Sequence, residues 1–214
     1  MLKHRLFILM ILTAMCSVAS DAAGRLASSF FADAAADVIF SQLPQSRRLD
    51  MIDYYNAGLS TPSKNVYGGD AVVVSVEPSR VKFSSSSAVE TTLDVLVNGN
   101  DTVLMVIDTY SLPQRDSRVR FFDKHWLPIY RTVYEEPALA DWLTVKSDDN
   151  INKVTDAIKF MLVSADYDPA TSVLTLTDNT ASYFVADDVP EALSLLQPTL
   201  QLAWHGGKFK LLKK

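Results

Sequence analysis

Apolar residues recur with two different periods along this chain, and the change falls near Gly58. Before it the spacing is helical. In SSFFADAAADVIFSQLP (28–44), Phe30, Phe31, Ala34, Val38 and Leu43 favour one side, and Pro44 ends the segment or begins a turn. RRLDMIDYYNAG (47–58) predicts a second helix, with Ser46 placed as an N-cap and Gly58 as the C′ residue. Leu49, Ile52 and Tyr55 or Asn56 fall on one face, which Met51 with Tyr54 or Tyr55 widens. Asp50 sits in the first turns, where the helix dipole favours negative charge, and Arg47, Asp50 and Asp53 can form exposed i, i+3 pairs. Two arginines, two carboxylates and two tyrosines in a dozen residues invite a catalytic reading, but every one of them has a place on a docking helix.

After Gly58 the period becomes two. AVVVSVE (71–77), RVKFS (80–84), VETTLDVLV (89–97), TVLMVIDTY (102–110) and SRVRFFD (117–123) read as strands. Val89, Thr91, Leu93, Val95 and Val97 alternate with Glu90, Thr92 and Asp94, the pattern of a half-buried strand. Asn98-Gly99-Asn100-Asp101 is a turn signal, so residues 89–110 should form one long hairpin. Val119 and Phe121 alternate with Arg118 and Arg120, which sets both arginines on the opposite face. The later part continues with IKFMLVS (158–164), VLTLT (173–177), TLQLAW (199–204) and KFKLL (208–212). His205-Gly206-Gly207 marks another tight hairpin. Residues 130–150 and 186–198 read as irregular or short-helical connections, with a short helix near Asp141-Trp142-Leu143.

The expected fold is therefore α+β and mainly β. Two N-terminal helices would pack on a curved antiparallel sheet or a two-layer β-meander of about nine or ten strands. Parallel βαβ units are not expected, because no helical pattern separates successive strands. Residues 130–150 are the place where a subdivision would fall.

The first twenty residues belong to a different class. MLKHRLFILMILTAMCSVAS has a cationic start (Lys3, His4, Arg5), an apolar run from Leu6 to Cys16 and small residues after it, the layout of a secretory signal peptide cut after Ser20 or Ala22. A run of about 11 residues spans about 16 Å as a helix, short of the ~30 Å hydrocarbon core. Met15 stands where a lipoprotein signal wants a small residue, so Cys16 reads as part of the discarded peptide. Residues 21–214 then form a single exported domain without cysteine, which excludes disulfides, thiolate metal sites and a cysteine nucleophile.

Removing Lys3 and Arg5, with no acid lost, takes the formal charge from −5 to −7. An acidic exported chain is poorly suited to nucleic acid or to an anionic membrane surface. With 48% apolar residues and seven dispersed glycines, it is a globular chain without repeats. No transmembrane segment is expected after signal cleavage.

Chemistry-bearing motifs are sparse. His125 and His205 are too few for a histidine zinc site and fit a strand-end surface and a turn. His205-Gly206-Gly207 lacks the G-x-S-x-G elbow that would make it an oxyanion loop, and there is no phosphate-binding glycine loop. Glu135-Glu136, Asp148-Asp149 and Asp187-Asp188 are adjacent doublets in connections, which usually point apart. Asp166 and Asp168 lack the glycine and terminal glutamate of an EF-hand, and Asp168-Pro169 reads as a turn start. No catalytic residue, cofactor or metal is assigned. The remaining group is PQRDSRVRFFDKHW (113–126). Asp116, Arg118, Arg120 and Trp126 are its candidate surface binding residues, a cation-and-aromatic face able to hold a carboxylate or a sugar ring. The segment reads better as an edge strand protected by charge, with Phe121 in the core.

Arg48-Leu49-Asp50-Met51-Ile52-Asp53, Gly68-Gly69 and the run from Asp116-Ser117 to Pro128 resemble an uncharacterised domain-of-unknown-function family of exported proteins from anaerobic Gram-negative bacteria of the gut and mouth. The resemblance implies an envelope location, periplasmic or associated with the outer membrane, and supplies no activity. In such bacteria Asp-Thr followed by an aliphatic residue can be an O-glycosylation site, a form that Asp101-Thr102-Val103 has. Two functions are carried forward. One is a non-enzymatic secreted or periplasmic binding or structural protein whose partner is an envelope protein, a glycan or an apolar ligand. The other is a hydrolase acting on glycans or peptides with a converging carboxylate pair.

Overall fold

The computed structural model describes residues 26–99, 101–129 and 133–212. It is mainly β, with ten strands in two antiparallel sheets and four α-helices. The signal-peptide reading of residues 1–20 and the question of Cys16 lie outside the described residues.

Six strands follow one another in a meander: β1 (Ser63–Lys64), β2 (Asp70–Glu77), β3 (Arg80–Ser86), β4 (Val89–Asn98), β5 (Asp101–Tyr110) and β6 (Asp116–Asp123). Four more form the second sheet in the order β10-β9-β8-β7: β7 (Val163–Asp168), β8 (Val173–Asp178), β9 (Thr199–His205) and β10 (Lys208–Leu211). The long hairpin over 89–110 forms with Asn98 opposite Asp101. Gly206 and Gly207, at φ +59° and +79°, close the β9–β10 hairpin in the left-handed backbone region that glycine enters freely. The two hairpin tips meet: a Cβ on Gly207 would lie 2.5 Å from Asn98 Nδ2.

The first sheet is buried on both faces at its centre, where the alternation of β4 had suggested one wet face. Leu93, Leu104, Val106 and Phe122 share a buried cluster with Phe31, Phe40, Leu43 and Met51. Leu96, Val103, Met105, Ile107 and Phe121, on the opposite face, pack with Leu174, Leu176, Leu200, Leu202 and Phe209 of the second sheet. Consequently every residue from Val103 to Thr109 is buried, and Asp94, expected in solvent, is 1% exposed.

The segment 28–44 is not one helix. It divides into α1 (Ala27–Phe31) and a 3-10 turn over Ala34–Val38, broken at Asp33, whose Oδ1 accepts from the Ala35 N–H at 2.9 Å. The next helix, α2 (Gln45–Asn56), starts after Pro44 rather than at a Ser46 cap, and Gly58 has the expected positive φ of +67°. Its buried face is Arg48 and Met51, whereas Leu49 is 44% exposed. Arg48 is fully buried. Its guanidinium donates to the carbonyls of Phe31 (2.5 Å), Asp33 (2.6 Å) and Leu43 and to Asp37 Oδ1 (2.8 Å), so one side chain ties three turns of the N-terminal segment together. Burial lowers its pKa, with Asp37 acting against that, yet the four acceptors compensate the cation. Arg47 and Asp50 do make an exposed pair at 3.7 Å.

Two short helices follow the first sheet, α3 (Leu139–Trp142) and α4 (Asp148–Ala157). The second begins at the end of the stretch expected to be irregular or short-helical and runs on through residues to which no element was assigned. Ser147 Oγ accepts from the Asn150 N–H, Asp148 and Asp149 occupy the first turn, and Ile151, Val154 and Ile158 pack inward. That helix displaces β7, which begins at Val163 rather than at Ile158.

Candidate functional site

The second sheet reaches the first along β6 and β7, which are edge strands of their own sheets. They are joined by side chains. Asp116 Oδ1 accepts from the Val163 N–H at 3.0 Å, and Ser117 Oγ from the Ala165 N–H at 3.0 Å. Ser117 is itself 2.8 Å from Thr109 Oγ1, and Asn179 Nδ2 donates to Arg115 O and Ser164 Oγ, both at 2.9 Å. Two edges that would otherwise expose backbone donors are thereby satisfied without a continuous ladder.

Beside this seam lies a cleft of about 540 Å³. It is lined by Ser117 and Val119 of β6, Val163 and Ala165 of β7, Tyr134, Leu139 and Trp142, and Ile158, Phe160 and Met161. Asp116, Arg118, Glu136 and Lys159 contribute charge. Phe160 is 54% exposed and meets Tyr183, 49% exposed, edge-on at 5.7 Å. Burial, with Glu136 adding to it, pushes the Tyr134 phenol above its ordinary pKa, so it stays a neutral hydroxyl in the physiological range.

A second concavity, about 310 Å³, lies between residues 38–43 and the sheet face opposite the seam. On that face Asp108 accepts from Thr91 Oγ1 at 2.9 Å through Oδ1 and from Arg120 Nη2 at 2.6 Å through Oδ2. The Arg120 guanidinium sits 5.7 Å from the Phe122 ring centroid, and its Nε is buried with no acceptor.

The four residues singled out from the sequence therefore separate. Arg118 and Arg120 share the face expected of them, on an edge strand with Phe121 in the core. Arg118 is exposed and lines both clefts. Asp116 belongs to the seam. Trp126 is not a surface residue at all, being only 5% exposed. Asp123 Oδ1 accepts from the His125 and Leu127 N–H groups, and the resulting turn, with Trp126 at φ +64°, returns the indole against Phe40 and Phe122 at 5.5 Å each. Thr102 is half-buried at the start of β5, with Val103 buried behind it. Among the described residues no group of three or more histidine, cysteine, aspartate or glutamate side chains could hold a metal ion.

Sequence reasoning overlooked Asp108, although a lone carboxylate inside the apolar run TVLMVIDTY was a readable signal. It also missed the walls of the larger cleft, because α4 was not recognised.

The sequence model of a family described as "Protein of unknown function (DUF3256)" matches residues 21–209. The chain belongs to that family. Its architecture is similar to the structure of a domain of an uncharacterized protein from Porphyromonas gingivalis W83, an oral anaerobe, with a TM-score of 0.71 at 16% identity, over 86% of this chain and 97% of the other. That likeness establishes a shared fold for the DUF3256 chain. Among curated proteins none matches it.

Proposed function

We propose that this DUF3256 protein is an exported, non-enzymatic binding protein of a bacterial cell envelope, and that its ligand lies in the 540 Å³ cleft beside the β6–β7 seam. The observation that carries the reading is the composition of that cleft. Its volume falls in the range of small-molecule sites, aromatic and aliphatic side chains line it, and charge enters through Asp116, Arg118, Glu136 and Lys159. Such a lining suits an amphipathic ligand, and Phe160, which lines the cleft and pairs with the exposed Tyr183, offers a ring platform for a glycan.

A carboxylate-pair hydrolase is less well supported. Asp116 and Glu136 are the carboxylates lining the cleft, and one oxygen of Asp116 is committed to the Val163 N–H. The export part of the proposal rests on residues 1–20, and α1 and α2 would form a protective cover over the outer face of the first sheet.

The test is mass spectrometry under non-denaturing conditions on protein purified from its native envelope. The expected chain begins at Asp21 or Ala23 and carries a non-covalent glycan or lipid that Trp142→Ala and Phe160→Ala reduce. A chain retaining residues 1–20 overturns export. A ligand-free protein that also takes up no envelope glycan or lipid extract overturns the binding role.

No helix among the described residues is long and apolar enough to cross a membrane.

A further inference from the structure

We infer that the amphipathic ligand of the 540 Å³ cleft is a single-chain phospholipid, with its phosphate at the exposed cations, its ester carbonyl on the Trp142 indole N–H and its acyl chain against the aliphatic lining. This rests on the binding role proposed above and names the class of ligand.

The argument begins with two unpartnered donors. Trp142 is 3% exposed and lines the cleft. Its indole N–H has no acceptor among the described residues, yet it is not sealed from solvent as the Trp126 N–H is. A buried indole ordinarily finds a partner, so this donor opens into the cleft and is completed by an acceptor on the ligand. Tyr134 supplies the second. Its ring lies against Phe121 at 5.6 Å, and its hydroxyl is likewise without a partner among the described residues and not sealed. Both donors are neutral, which suits a carbonyl oxygen.

Exposure sorts the rest of the lining. Arg118, Lys159 and Glu136 are exposed, and none has an ion-pair partner among the described residues. Lys159 reaches only the Thr155 carbonyl, at 3.5 Å. Ile158 and Met161 are half-buried and Leu176 is buried. Charge, neutral donors and aliphatic carbon therefore follow one another from exposed to buried positions, the order of head, ester and chain in a lysophospholipid. Arg118 and Lys159 suit the phosphate, and Glu136 the ammonium of an ethanolamine head. A glycan, polar along its length, would leave the aliphatic side chains unused, and an uncharged monoacylglycerol would leave the cations unanswered. The volume is that of a drug-sized ligand, which favours one chain over two.

The probe is palmitoyl lysophosphatidylethanolamine below its micelle concentration. It is set against its ether-linked analogue, which lacks the carbonyl, and monopalmitoylglycerol, which lacks the phosphate. The readout is the Nε1–Hε1 NMR cross-peak of Trp142 in the intact protein, assigned by its disappearance in Trp142→Phe, with the sealed Trp126 indole as an internal control. The lysophospholipid should move the Trp142 peak saturably and leave that of Trp126 in place. The ether analogue should bind about fivefold or more weakly, and monopalmitoylglycerol about tenfold or more weakly. Arg118→Gln, at an exposed position, should keep the denaturation midpoint and bring the lysophospholipid towards the affinity of monopalmitoylglycerol. The inference is overturned by equal affinity for either comparator, by an unchanged lysophospholipid affinity in Arg118→Gln, or by no saturable shift at Trp142. An envelope glycan extract that moves the Trp142 peak where the lipids do not would overturn the ligand class and leave the binding role standing, whereas a peak that nothing moves would remove both.

Discussion

Asp94 Oδ1 accepts a 2.7 Å bond from Arg80 Nε on the adjacent strand, while Asp94 Oδ2, also buried, has no partner among the described residues. Arg80 also reaches across to the carbonyl of Tyr167 in the second sheet, with its guanidinium 5.9 Å from that ring's centroid. The pair is thus a clasp between the two sheets. Burial raises the Asp94 carboxyl from 3.8 to about 6, and the bond to Arg80 offsets it only in part.

The sign of the resulting pH dependence follows. Between about pH 4 and 6 the native state holds a proton on Asp94 that the unfolded chain has released, so this residue's stabilisation is complete below about pH 4 and is lost as pH rises through 6. About two pH units correspond to roughly 3 kcal/mol at most. Denaturant unfolding at pH 4.5 and 7.5 should show wild type losing more stability on the way up than Asp94→Asn. Equal losses in the two proteins would remove Asp94 as the cause.

Arg48 makes the opposite case, a buried cation with a full set of acceptors. Arg48→Ala should cost about 3 kcal/mol or more, because three carbonyls lose a shared donor in a closed interior. Asp37 is half exposed, so Asp37→Asn should cost about 1 kcal/mol or less. Denaturation midpoints of the two variants check the contrast, and a larger loss in Asp37→Asn would contradict it.

Ser117 links Thr109 of its own sheet to the backbone of β7. Ser117→Ala should destabilise by about 1–2 kcal/mol. Its more specific effect is local: hydrogen exchange at the Ala165 amide should quicken, while the Leu93 amide in the centre of the first sheet keeps its protection. Uniform quickening at both would mean that the seam has no separate opening.

Gly207→Ala tests the contact of the hairpin tips. The new methyl meets both a positive φ and the Asn98 amide. A loss of more than about 1 kcal/mol is expected, and Asn98→Ala in the same background should recover the part owed to collision, leaving the backbone part.

Strand and turn positions were legible because they depend on local chemistry, whereas the order of strands in two separate sheets was not. Asn98-Gly99 and Gly206-Gly207 bend the chain whatever surrounds them, and β2 to β6 lie within one or two residues of their apolar alternation. The candidate site was half legible. The arginines of β6 could be assigned a face, since alternation alone decides it. Trp126 could not be placed, because a turn held by Asp123 and a distant Phe40 draw it inward. Helix α4 had its signals in Ser147, Ile151, Val154 and Ile158, but its acidic first turn reads equally well as a solvated loop.

By itself, then, the sequence determined a mainly antiparallel β protein with hairpins at stated positions and without a recognisable catalytic motif. The tertiary structure alone decided which polar groups are buried. Asp94 and Arg48 sit in segments whose local pattern is compatible with solvent, and they lose it because a second layer covers them. Burial is a property of the neighbours a residue acquires from far along the chain. The unusual protonation of Asp94, the orphaned donor of Arg120 and both clefts follow from those neighbours, and none has a signature in local spacing.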